Sequence, residues 1–275
     1  MKTRIIVVAV MLCILALSAR AFLLLQERRI ASDTIEPWSL TNEWHFLFEE
    51  DAANNVVAEE EGYAAFNDTD ASENTANITT AGKVLKCFDY DGSTYLQTIS
   101  DNATYFESYA DGDKGMMYWI TCDDWSTVSQ AIVAVEQSDV DFTLATMGSP
   151  VQFRWSVSDN DGDTATVDYP VTNLSDDTWY HITVTWDESE GVIEMFVNAQ
   201  SVGSATNANL VDGSFDDLGP AKDFGIGARR NEKNDWSDFW NGKIDDARGL
   251  NFIPTQTQID GVYNNGNGTQ DDSGP

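Results

Sequence analysis

The run Trp179-Tyr180-His181-Ile182-Thr183-Val184-Thr185-Trp186-Asp187 constrains the fold more than any other stretch of this chain. After a short polar turn it is followed by Gly191-Val192-Ile193-Glu194-Met195-Phe196-Val197-Asn198. Trp179, His181, Thr183 and Thr185 alternate with Tyr180, Ile182, Val184 and Trp186, and the second run repeats the alternation. A period of two over paired runs predicts two antiparallel strands with distinct faces. Ile132 to Val135, Asp141 to Leu144, Val151 to Val157 and Thr164 to Val171 are further short runs rich in Val, Thr and aromatic residues, separated by Gly, Asn, Asp and Pro clusters. Many short strands at regular spacing predict a sandwich or barrel. Beyond residue 30 a helical period shows only at Thr255 to Tyr263. Nine Trp, nine Tyr and thirteen Phe are ample for a core between two sheets.

The hairpin, with its Trp-Tyr-His-x-x-x-Thr-Trp-Asp run and a second strand ending in Val-Asn, resembles the core hairpin of the laminin-G-like, concanavalin A-like jelly-roll domains. Other segments resemble that family in the same order. Trp44 to Glu50 is similar to its opening strand, and Gly82 to Leu96 to its Gly-Lys…Phe-Asp-Gly-x-x-x-Tyr segment, here with Tyr90 and Asp91 lengthening the turn. Met117 to Ile120 is similar to Phe-x-Trp-Val, Phe224 to Arg229 to Ile-Gly-Ala-Arg, and Trp240 to Arg248 to Phe-x-Gly-x-Ile-Asp-Asp-Val-Arg. Thr255 to Tyr263 looks like the closing helical turn. The resemblance implies an all-β, two-sheet antiparallel jelly-roll sandwich over residues 39–265.

Lys2 and Arg4 precede an apolar run from Ile5 to Leu17, and Ala19-Arg20-Ala21 offers the small residues a signal peptidase prefers. Residues 1–21 are therefore expected to be a signal peptide. The alternatives are an apolar helical membrane anchor continuing through Leu25 and a helix buried in a filament; Arg20 weighs against the anchor. Each alternative places the domain outside the cytoplasm, secreted or at the cell surface, with 22–38 as linker and 266–275 as a flexible tail. In such a compartment Cys87 and Cys122 are either one disulfide or two separate buried thiols.

The formal net charge is −31, from 46 acidic against 15 basic residues. This excludes nucleic acid as a partner, because the dominant phosphate term becomes repulsive. It also disfavours anionic membranes, leaving the N-terminal segment, if retained, as the means of membrane attachment. The plainest reading of the charge is a solvated acidic surface suited to saline surroundings.

Two candidate sites follow. Asp159-Asn160-Asp161-Gly162-Asp163 resembles the start of a calcium loop, with oxygens on Asp159, Asp161 and Asp163, although the distal Glu of such a loop is missing. A polar hairpin turn uses the same residue types. The second candidate is Trp236 in the polar loop Arg229 to Asp238. An exposed indole flanked by Arg229, Asn231 and Asp235 can stack on a sugar face while polar groups hold hydroxyls, and the bland alternative is a Trp capping the core at the sandwich edge. Asp245-Asp246 belongs to a chiefly structural family motif, in which Arg248 is expected to pair with an acid.

The chain lacks the Glu-x-Asp-x-x-Glu pattern of sandwich-fold glucanases, whose retaining chemistry needs two carboxylates at short separation. It also lacks zinc-ligand spacing, a Gly-x-Ser-x-Gly elbow and a phosphate-binding Gly loop. The expectation is a non-catalytic exported binding or adhesion module, recognising carbohydrate or a surface protein, with calcium as the one cofactor considered. The alternatives are a self-assembling subunit of a filament, sheath or virion coat, and a glycan-cleaving enzyme.

Overall fold

The computed structural model describes residues 40, 42, 44–50, 56–58, 65–68, 75–98, 112–136, 140–159, 161–210, 225–230 and 236–272. The first sheet contains β1 (Trp44–Phe46), β4 (Thr79–Ala81), β5 (Lys86–Asp91), β7 (Lys114–Ile120), β12 (Tyr180–Asp187), β13 (Val192–Val197), β14 (Gln200–Thr206) and β18 (Asn241–Leu250). Their order is β14-β13-β12-β7-β18-β5-β4, with β1 pairing to β18. The second sheet contains β8 (Gln130–Glu136), β9 (Val140–Met147), β10 (Gln152–Asp159), β11 (Thr164–Pro170), β16 (Arg229–Arg230) and β17 (Trp236–Ser237), in the order β11-β10-β9-β8-β16-β17. A smaller sheet joins β2 (Val56–Ala58), β3 (Ala65–Asp68), β6 (Leu96–Thr98) and β15 (Gly225–Ile226). Among the described strands every pairing is antiparallel except β8 with β16. The expected jelly-roll sandwich is therefore present.

The central hairpin forms in the register its pattern requires, with Ile182 opposite Val197 and Trp186 opposite Ile193. Its apolar face meets the second sheet: Ile182, Val184 and Trp186 share one core cluster with Leu144, Trp155 and Val157. Full burial of each such side chain is worth about 1.5–3 kcal/mol. The indole of Trp155 also donates to the Thr185 carbonyl at 3.1 Å, tying one layer to the other. The turn between β12 and β13 closes on Gly191 at φ +61°, where a Cβ would lie 2.1 Å from the Asn207 carbonyl oxygen. Only glycine fits there.

The opposite face of the first sheet carries His181, Thr183 and Thr185, a polar set that would ordinarily face water. Here it is buried. Helix α1 (Gln256–Tyr263) starts at a capping box between Thr255 and Gln258 and ends at Asn264 in the left-handed region. Tyr263 at its end packs against Trp119 and His181, with ring centroids 5.8 and 6.0 Å away.

The chain then stays on the fold. Arg248, wholly buried, donates from Nη2 to the Thr269 carbonyl at 2.7 Å and from Nη1 to Asp272 at 2.5 Å. The Asp272 carbonyl in turn accepts the Leu40 amide. Ordered contacts therefore continue past residue 265 to Asp272, because a buried guanidinium needs these acceptors. Residues 1–39 and 273–275 lie outside the described residues, and with them the signal peptide, anchor and linker expectations. Among the described residues no helix is long and apolar enough to cross a membrane.

Candidate functional site

Three rings gather at the rim where β17 meets the segment before β6. The centroid of Trp236 lies 4.3 Å from that of Tyr95, with 36° between their planes. Phe239 lies 5.6 Å from Tyr95. All three are half-buried. Trp236 is positioned by an absence: a Cβ on Gly225 would fall 2.3 Å from its six-membered ring, so the indole lies directly against that glycine. The segment behind it is held by backbone hydrogen bonds from Ala131 to the Asp238 carbonyl at 2.7 Å and from Trp240 to the Gly227 carbonyl at 2.8 Å. Arg229, paired in register with Ser237, reaches Asp238 at 3.4 Å. Of the residues expected to accompany Trp236, Arg229 therefore stands in the same rim. Asn231 and Asp235 lie outside the described residues.

Thr94 and Asn241, close in sequence to Tyr95 and Phe239, help line a cavity of about 320 Å³ bounded also by Ile78, Asp89, Tyr90, Asp91 and Asp123. Thr94 precedes Tyr95, and Asn241 follows Phe239 by two positions, so platform and cavity share their supports. Asp91 is committed to the turn: its Oδ1 accepts from the Ser93 amide and hydroxyl at 2.9 and 2.7 Å. The Ser93 hydroxyl most of all holds its carboxyl below the usual range. Asp89 and Asp123 are exposed. Sequence reasoning missed Tyr95, Phe239 and the cavity. Tyr95 was visible as the last residue of a strand motif, but nothing in the sequence brings it to Trp236.

The remaining candidates have other surroundings. The Asp159–Asp163 loop closes β10 onto β11. Asp159 Oδ1 accepts the Asp163 amide at 2.9 Å, and Asp163 Oδ1 accepts from Asn209 at 3.0 Å, which is the bonding of a polar hairpin turn. Asp161 is exposed. Among the described residues no group of three or more His, Cys, Asp or Glu side chains could hold a metal ion.

Cys87 and Cys122 are separate buried thiols. Cys87 lies on β5 and Cys122 just beyond the end of β7, with β18 running between those two strands. Burial pushes both thiols up to about 12.

The Asp245-Asp246-Arg248 motif is structural. Asp246 lies 2.6 Å from His45 Nε2 and accepts from Arg248 at 3.1 Å. Burial alone would raise the Asp246 carboxyl, but Arg248 and His45 hold it below the usual range. Asp245 accepts the amides of Lys83 and Val84 at 2.7 and 2.8 Å, yet burial pushes its carboxyl up to about 8.

The family model of the concanavalin A-like lectin/glucanase superfamily, Laminin_G_3, matches residues 88–260, more than half of the chain, and the chain belongs to this superfamily. No curated protein sequence matches it. Among solved structures it is similar to the binding domain of botulinum neurotoxin serotype G, at 13% identity and a TM-score of 0.56 over 81% of this chain and 50% of that one. It is likewise similar to the receptor-binding domain of the mosaic serotype C/D toxin, at 14% identity and a TM-score of 0.55 over 82% and 50%. This chain thus spans about half the length of those toxin domains. Domain 4 of AbnA, a GH43 extracellular arabinanase from Geobacillus stearothermophilus solved in complex with arabinotriose, matches over 84% of this chain and 100% of its own, at 14% identity and a TM-score of 0.54.

Proposed function

We propose that this domain is a non-catalytic carbohydrate-binding module, exported from its cell, whose ligand stacks on Trp236, Tyr95 and Phe239 and places hydroxyls in the adjoining cavity. The observation that carries the reading is the juxtaposition of three half-buried rings with a polar cavity lined in part by the same two segments. Aromatic rings offer apolar area to the C–H face of a sugar. Carboxylate and amide oxygens accept from its hydroxyls, and about 300 Å³ is the lower end of the range for small-ligand sites.

The likeness to the arabinanase domain solved with arabinotriose and to a botulinum neurotoxin DC binding domain solved in complex with SialylT supports a binding role. The test is a panel of immobilised oligosaccharides and polysaccharides, probed for retention and for released product. Saturable retention without product is the expected result. Product release from any polysaccharide would instead establish the enzyme reading, and retention on none would refute the glycan-binding one.

A further inference from the structure

The cavity beside the aromatic platform is electrostatically one-sided. Asp89, Asp91 and Asp123 line it, and Asp89 stands opposite Lys243 in the β5–β18 register. Among the described residues the Asp89 and Asp123 carboxylates make no hydrogen bond or ion pair. Asp123 also feels Asp177, Asp89 and Asp176, with Lys243 acting in the opposite sense. Partial burial and then these like charges hold its carboxyl above the usual range. Around the site the whole domain carries a formal charge of −31. A second negative charge brought into such a cavity meets repulsion at short range and across the surrounding field. A hydroxyl meets the carboxylate acceptors together with the hydroxyl and amide groups of Thr94 and Asn241, and an ammonium group meets an attractive potential.

We infer that this site accepts sugars that are uncharged or carry a protonated amine and rejects sugars bearing carboxylate or sulfate, with Asp89 and Asp123 as the specificity-determining residues. The inference rests on the glycan-binding reading of the same rim. It makes selectivity a matter of repulsion built against the wrong ligand as much as of contacts to the right one. The platform supplies affinity that all sugars share, and the two carboxylates sort them by charge.

The test compares neutral probes with charged counterparts: lactose with sialyllactose, galactotriose with trigalacturonate, and chitotriose with its fully de-N-acetylated form. Binding is measured at about 0.15 M and about 1 M NaCl, where screening lengths are roughly 8 and 3 Å. Each anionic probe is expected to bind at least about tenfold more weakly than its neutral partner at the lower salt, with the gap narrowing at the higher. The de-N-acetylated trimer should bind at least as tightly as chitotriose. The double variant Asp89→Asn/Asp123→Asn should close most of the gap, and Asp260→Asn, an exposed charge removed from α1, should leave it intact.

Equal binding of neutral and anionic partners would overturn the inference while leaving glycan binding in place. So would a gap that the double variant does not move, since discrimination would then come from the overall charge. Retention of no neutral, amine-bearing or anionic glycan would sink the parent reading with it.

Discussion

Tyr95 and Trp236 meet with ring centroids 4.3 Å apart, although one precedes β6 in the small sheet and the other opens β17 in the second sheet. Their contact depends on Gly225, whose missing side chain is the space the indole occupies. Gly225→Ala should therefore displace Trp236 and weaken glycan binding by about tenfold, although residue 225 need not touch the ligand. Fluorescence of Trp236 is not separable from that of the other indoles, so the check is binding affinity together with a crystal structure of the variant. Undiminished affinity with an unmoved ring would contradict the packing argument.

Arg248 and Asp246 form a buried ion pair that anchors the C-terminal segment. Removing one partner strands the other as an uncompensated charge. Arg248→Met should cost about 3–5 kcal/mol in urea unfolding. Asp272→Asn alters a pair whose acid is 36% exposed on its side chain. Its cost should be at most about 1 kcal/mol. Equal costs for the two would show that Asp272, and not the buried pair, carries the clasp.

Stability should fall as pH rises from about 6.5 to 8. Burial holds the folded-state value of Asp245 at about 8 against 3.8 for a free aspartate, so the folded protein holds the extra proton between those limits. Its contribution is fully present below 3.8 and is lost as pH climbs to 8. His181 works oppositely: burial lowers it from 6.5 to about 3, so its neutral ring favours folding above 6.5 and opposes it as pH falls. The two terms compete between 3.8 and 6.5, which leaves the upper window to Asp245. The slope there should approach, and not exceed, about 1.4 kcal/mol per pH unit. Asp245→Asn should flatten it, and an unchanged slope in that variant would assign the effect elsewhere.

Much of the architecture could be read from the sequence, and the reason is local. Alternation in Tyr180 to Trp186 reports directly which side chains face the second sheet, and the helical period of Thr255 to Tyr263 marks the closing helix. The burial of Thr183 and Thr185 could not be read this way. A polar face looks solvent-exposed until residues 256–272 are known to fold over it. The tail itself, rich in Gly, Asn and Asp, looks disordered because its order comes from Arg248, some twenty residues earlier. The candidate rim shows the same limit. Trp236 and Arg229 were recognisable as binding-type residues in one loop. Tyr95, Asp89 and Asp123 reach the site through tertiary proximity, which no spacing in the chain encodes.

The thiols of Cys87 and Cys122 should be inert in the folded protein at pH 8, since both are buried and pushed up to about 12. Without reductant, neither should react with an alkylating reagent under native conditions, and both should react after denaturation. Mass spectrometry of the alkylated peptides reads this directly. A cross-linked peptide pair would contradict their being two separate thiols.

The most direct test of the central claim is isothermal titration of the tightest oligosaccharide from the panel into the native domain, Trp236→Ala and Tyr95→Ala. Each substitution removes a partly exposed ring from the rim, so circular dichroism and thermal midpoint should stay close to those of the parent. If the rim is the binding site, affinity should drop by about five- to thirtyfold in each variant, as expected for loss of a stacking ring worth roughly 1–2 kcal/mol. Unchanged affinity in both, with the fold intact, would place the ligand elsewhere on the sandwich and contradict the account.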